Sequence, residues 1–125
     1  MITFKKVKVC FLLIFIFLNI FSIDAPSYSV SLREDLFKNA LDLSSTGRFN
    51  LALQEWDNYL DSYPDDAAGF SNRGNVRLVI GDIDGSIDDQ NKAISLNPSE
   101  IDPYINRGIA EEALSLIHIS EPTRL

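Results

Sequence analysis

One cysteine, Cys10, and one histidine, His118, are all the chain holds of the residue types that most often build nucleophilic, redox and zinc sites. A single thiol closes no intrachain disulfide, and a Cys/His zinc site needs several ligands, so neither framework is available. Both residues also lie outside residues 30–113, the stretch that reads as folded. Positive charge is scarce there as well, with seven Lys/Arg against sixteen Asp/Glu. An acidic body repels phosphate backbones, so nucleic acid is not expected as a partner. No catalytic residue, metal ligand or cofactor is assigned, and the chain is not expected to be an enzyme.

Lys5, Lys6 and Lys8 precede an apolar run from Val9 to Ile23 that only Asn19 and Ser22 interrupt, and Asp24 ends it. A basic start, a short apolar run and the small residues that follow at 25–29 have the layout of a secretory signal. The run is shorter than the roughly 18–20 apolar residues of a spanning helix. Residues 1–29 are therefore read as a signal peptide, cleaved after Ser29, with a retained membrane anchor as the alternative. Membrane contact is expected only through residues 9–23, if they are kept. Cys10 stands near the start of the run, whereas a lipoprotein signal places its cysteine after it.

The body repeats itself. Gly47 recurs as Gly81, Pro64 as Pro98, Phe70 as Tyr104, and Asn72-Arg73-Gly74 as Asn106-Arg107-Gly108, each 34 residues on. A period of 34 enclosing a helix-turn-helix pattern resembles the tetratricopeptide repeat (TPR). The family pattern falls on Leu36, Ala40, Leu43, Gly47, Phe49, Ala52, Trp56, Tyr59 and Pro64 in repeat one, residues 33–66. In repeat two, residues 67–100, it falls on Phe70, Gly74, Arg77, Gly81, Ile83, Ser86, Gln90, Ala93 and Pro98. A partial third repeat, 101–114, shows Tyr104 and Gly108. The resemblance implies an all-α fold, an alpha-alpha superhelix of about two and a half repeats over residues 30–114, after an N-terminal apolar helix. Tyr59 stands where a small Ala is usual, and Arg77 and Gln90 replace aromatics, which leaves the packing there open.

Elementary backbone chemistry points the same way. Paired helices approach closely where the crossing residues are small, as Ala40 with Ala52 and Gly74 with Ser86 would be. Gly47 and Gly81 suit the left-handed turn that ends a first helix, and Pro64 and Pro98 stop each second helix while holding Tyr63 and Asn97 extended. Asp82 and Asp84 stand where a carboxylate caps the next helix.

By resemblance, the first helices line a concave surface formed by Phe37, Leu41, Ser44 and Ser45, then Ser71, Asn75, Leu78 and Val79, then Ile105 and Ile109. Apolar residues on a solvent-facing groove imply that a protein or peptide is laid into it. The implied function is an exported scaffold for protein–protein interaction, in the periplasm, the thylakoid lumen or secreted, or else membrane-anchored, with a role in complex assembly. The alternatives are the recognition arm of a larger enzyme and a membrane-tethered spacer. One branch of the family grips the carboxylate end of chaperone tails with Lys and Asn. Its positions here hold Phe37, Leu41, Asn72, Asp102 and Asn106, of which only Asn72 matches, so that chemistry is disfavoured. The acidic run Asp82–Asp89 lacks the glycine and glutamate spacing of a calcium loop and reads as helix-capping surface. Arg73 and Arg107 are expected to lie along the helix interfaces and pair with acids among Asp82, Asp88, Asp89, Glu111 and Glu112.

Beyond Leu114 the repeat register breaks, with Ser115 where a turn glycine is due. The string from Leu114 to Arg124 resembles a translated sequencing adapter. Residues 115–125 are therefore expected to be a non-native tail, and further repeats to follow in the natural protein.

Overall fold

The computed structural model describes residues 25–120. The apolar run at 9–23, and with it the signal-or-anchor reading, lies outside the described residues. No described helix is long and apolar enough to cross a membrane. The chain divides into two compact units, Met1–Leu32 and Arg33–Leu125. What is described of the first is helical from Ala25 on.

The described residues form five helices and no strand: α1 Ala25–Ser45, α2 Phe49–Ser62, α3 Ala67–Ile80, α4 Ile83–Leu96 and α5 Asp102–Ser120. Pro26 falls in the first turn of α1, where its missing N–H costs no helical hydrogen bond. The second unit carries two helical hairpins, α1 with α2 and α3 with α4, followed by α5. These are the 34-residue units of the sequence.

The turns inside the hairpins are built alike. Gly47 and Gly81 have φ of 75° and 91°, the left-handed region where a side chain would be strained. The N–H after each glycine reaches back to close the helix end: Arg48 N to Leu43 O at 3.0 Å, and Asp82 N to Arg77 O at 2.9 Å. Gly47 N and Gly81 N bond Ser44 O and Leu78 O, completing a Schellman cap at both sites. Between hairpins, Tyr63 and Asn97 leave the helical region at φ −132° and −140°, as residues before Pro64 and Pro98 must.

The starts of α3 and α4 are capped by aspartate, whereas α2 follows Arg48 with no side-chain cap. Asp82 accepts the Gly85 N–H at 3.1 Å, with Asp84 inside the first turn, as expected. Asp66 caps α3 in the same way, accepting from Gly69 N at 3.1 Å.

Ala40, Ala52, Trp56, Tyr59, Leu60 and Val76 are buried at the centre of the core, with Leu43 at its edge. Trp56 Nε1 donates to Ser44 Oγ at 3.0 Å, and Ser44 Oγ donates in turn to Ala40 O at 2.8 Å, which locks α2 onto α1. Tyr59 fits because the residue facing it is Gly69. A β-carbon at position 69 would stand 2.8 Å from Leu60 Cδ2 and 3.0 Å from Tyr59 Cε1.

Repeat two fills the equivalent positions with polar groups. Gln90, at the Trp56 position, is fully buried and donates from Nε2 to Ser71 O at 3.0 Å and Asn75 Oδ1 at 3.1 Å. Arg77, at the Leu43 position, reaches Asp89 at 3.1 Å and the Gly85 carbonyl at 3.2 Å.

α5 is longer than α2, α3 or α4, at 19 residues against 14 each. With Ser115 in place of a turn glycine nothing ends the helix, and it continues through Ser120 with residues 115–120 exposed. The break in sequence register thus appears as helix extension rather than as an end of helical structure.

Gly74 and Gly108 share one repeat position in opposite surroundings. A β-carbon at Gly74 would lie 2.7 Å from Gln90 Nε2 and 3.2 Å from Ser86 O, whereas nothing stands within 4 Å of one at Gly108. Gly74→Ala is expected to destabilise the chain by about 1–3 kcal/mol through overpacking. Gly108→Ala is expected to stabilise it by about 0.5–1 kcal/mol through helix propensity. Thermal denaturation of the two variants checks the opposite signs.

Candidate binding surface

The position of α3 decides the geometry of the groove, and charge holds α3 on two sides. Arg73 forms two hydrogen bonds to the buried carboxylate of Asp89 on α4, at 2.9 and 2.7 Å, and a third to Asp57 on α2 at 2.7 Å. The hydrogen bonds to Asp89 raise the Arg73 pKa above its ordinary value. Arg107 repeats the arrangement 34 residues on. It donates to Asn91, the counterpart of Asp57, at 2.9 Å, and reaches Glu111 at 3.5 Å. The expected pairings of Arg73 with Asp89 and Arg107 with Glu111 are therefore present, and Asp57 and Asn91 are additions.

At the N-terminus of α3, Asp66 accepts hydrogen bonds from the Tyr59 hydroxyl, the Arg33 guanidinium and Gly69 N. Burial disfavours the Asp66 carboxylate, but these donors outweigh it and hold the pKa below the usual carboxylate value. Burial raises the Tyr59 phenol pKa, and the bonds to Tyr59 and Asp66 raise that of Arg33. A depression of about 290 Å³ beside this cluster is walled by Arg33, Ser62, Tyr63, Pro64, Asp65 and Asp66.

The residues assigned to the concave surface divide into two groups. Leu41, Ser45, Val79, Ile105 and Ile109 are exposed, and Asn75 and Leu78 are half-buried. Three others, Phe37, Ser44 and Ser71, also make contacts toward the core. The Phe37 ring packs edge-on against Trp56 and Tyr59, with centroids 5.0 and 5.4 Å apart, because a ring at that position completes the aromatic core. Ser44 is committed to Trp56. Ser71 is 7% exposed, its carbonyl taken by Gln90.

Between α3 and α5 the same face holds a pocket of about 120 Å³, smaller than a drug-sized site and suited to one side-chain head group. Its polar lining is Ser71, Asn72 and Asn75 from α3, Glu100 from the turn, and Asp102 and Asn106 from α5. Asn106 Nδ2 donates to Ser71 Oγ at 3.4 Å, and Asn72 Nδ2 donates to Ala68 O at 2.9 Å. Glu100 Oε1 accepts from Asn97 Nδ2 at 2.9 Å. Of these, the chaperone-tail comparison matches only Asn72, and it assigns no binding role to Asp102, Asn106 or Glu100. The 34-residue recurrence of Asn72 as Asn106 was the available signal that the two share a face.

No family model matches the chain, and no curated protein matches it. Solved structures do. The TPR2B domain of yeast Sti1 in its pHsp70 complex aligns with a TM-score of 0.64 at 24% identity, over 66% of this chain and 66% of that one. The second TPR of Spaghetti (RPAP3), bound to the HSP90 peptide SRMEEVD, aligns at 0.64 and 19% identity, over 69% and 80%. The Arabidopsis OM64 TPR domain aligns at 0.65 and 19%, over 68% and 70%. The fold is that of the tetratricopeptide repeat.

Asp66 supplies a pH signature. Its folded-state pKa lies below the unfolded value of about 3.9, so the stability it contributes is fully present at neutral pH and is lost as pH falls through the folded pKa. Asp66→Asn keeps a capping side chain but loses the charge. It is expected to cost about 1 kcal/mol at neutral pH, and the gap to the wild type should close on acidification below about pH 4. A gap that stays constant in melting experiments across that range would contradict this assignment.

Proposed function

We propose that the chain is a non-catalytic scaffold that holds a protein or peptide partner against the face carrying Leu41, Asn75 and Ile109. The observation that supports this most strongly is the face itself. Those three residues stand at one repeat position, 34 apart, and Leu41 and Ile109 are 42% and 50% exposed although large and apolar. Val79 and Ile105 are exposed beside them, at 61% and 55%. Apolar residues aligned along successive first helices, with a polar pocket between them, form a surface on which an extended or helical segment is anchored by side chains and oriented by hydrogen bonds. That the Sti1 and Spaghetti domains are captured with pHsp70 and with an HSP90 peptide supports a peptide as the class of partner.

Export of the chain is part of the same proposal, supported by the lysines and apolar run before residue 25. So is a role in assembling or maintaining a complex outside the cytoplasm. N-terminal sequencing of the natural product checks export: a mature start at Val30 agrees with it, and a start at Met1 contradicts a cleaved signal.

Val79→Asp combined with Ile109→Asp is expected to abolish retention of the partner by the immobilised chain. Leu51→Asp, at an exposed apolar residue of α2, should leave retention intact. Equal loss from both changes, or no partner retained by the wild type, would refute the assignment of the face.

A further inference from the structure

We infer that the pocket between α3 and α5 receives a cationic side chain, lysine or arginine, so that the partner is a basic peptide segment. This inference rests on the scaffold reading above and specifies the chemistry of its partner.

Oxygen acceptors outnumber nitrogen donors in the pocket lining. Asn72 and Asn106 each spend one amide N–H, on Ala68 O and Ser71 Oγ, and each keeps its second N–H as a donor and its side-chain carbonyl as an acceptor. Glu100 spends one oxygen on Asn97 Nδ2 and keeps the other. Asp102 has neither a hydrogen bond nor an ion pair among the described residues and is exposed at the pocket's edge. Asn75 adds to the donors, since its Oδ1 is taken by Gln90 and its amide nitrogen is left to donate.

Charge decides between these. Two carboxylates line the pocket and no lysine or arginine does. The N-terminus of α5 would by itself attract an anion, but Asp102 stands in its first turn and answers that partial positive charge from within the chain. A ligand group entering here meets carbonyl and carboxylate oxygens in excess, which an ammonium or guanidinium satisfies and a carboxylate does not.

The surroundings extend the site beyond one charge. Leu78 and Val79 lie one turn beyond Asn75 on α3, and Ile105 and Ile109 one turn beyond Asp102 and Asn106 on α5. The segment that fits therefore carries apolar residues next to its cation. An acidic segment such as the peptide SRMEEVD of the Spaghetti complex would bring like charges against Glu100 and Asp102.

The test uses the full chain and short fluorescein-labelled peptides identical in their leucines, differing only in carrying lysine, arginine, glutamine or glutamate. Fluorescence anisotropy should rank the lysine and arginine peptides about tenfold tighter than the glutamate peptide, with the advantage shrinking as salt rises to about 0.15 M. The double change Glu100→Gln with Asp102→Asn, which alters charge and little else, should erase that advantage; unchanged circular dichroism melting keeps the comparison valid. Equal binding of all four peptides, a preference for glutamate, or a basic preference that survives the double change would each overturn the inference while leaving the scaffold standing. If no peptide binds and no partner is retained by the immobilised chain, both readings fall together.

Discussion

The Arg73 guanidinium ties three helices together, α2, α3 and α4, and so sets where α3 lies between its neighbours. From α3 it binds Asp89 of α4 through two parallel hydrogen bonds and Asp57 of α2 through another. Its side chain is 15% exposed and that of Asp89 is 4% exposed, so either charge left alone would be strongly penalised by desolvation. The planar fork of arginine meets a carboxylate in one orientation, which sets where α3 lies against α4. With α3 placed, Ser71, Asn72 and Asn75 have a fixed relation to Asn106 of α5, and the pocket exists. Electrostatics on one side of α3 thus helps fix the pocket wall that α3 contributes on another.

The two repeats share a backbone plan and differ in what fills it. Repeat one uses Leu43 and Trp56 with a cluster of edge-on rings. Repeat two uses Arg77 and Gln90 at the same positions, with Asp89 alongside. Polar filling leaves two buried atoms without partners, Ser86 Oγ and Gln90 Oε1. Repeat two gains directionality in exchange: the Gln90 amide pins the Ser71 carbonyl and the Asn75 side chain, both part of the pocket wall. An apolar residue at position 90 could fill the volume but could not orient those groups.

What was legible in the sequence acts through local backbone chemistry. Gly47, Gly81, Pro64 and Pro98 mark turns whatever surrounds them, and the small residues at 40, 52, 74 and 86 mark close crossings. What was not legible depends on partners distant in sequence. Tyr59 looks too large for its position until Gly69 is seen to face it. Phe37, assigned to open surface, completes an aromatic cluster with rings about twenty residues away. The pocket draws on α3, the turn at Glu100 and α5, and only the recurrence of Asn72 as Asn106 hinted at it. The continuation of α5 to Ser120 follows from the missing glycine at 115, a stop signal whose absence the sequence does show.

A double-mutant cycle on Arg73 and Asp89, read by chemical denaturation, tests most directly the claim that this pair holds α3 in place. Arg73→Leu and Asp89→Leu should each cost about 2 kcal/mol by removing charge-assisted hydrogen bonds from a buried network in which Arg77 still faces Asp89 and Asp57 still faces Arg73. The double variant should cost clearly less than the two together, by a coupling of at least about 1 kcal/mol. Costs that simply add would show that the pair does not act as a unit and that α3 is positioned by packing alone.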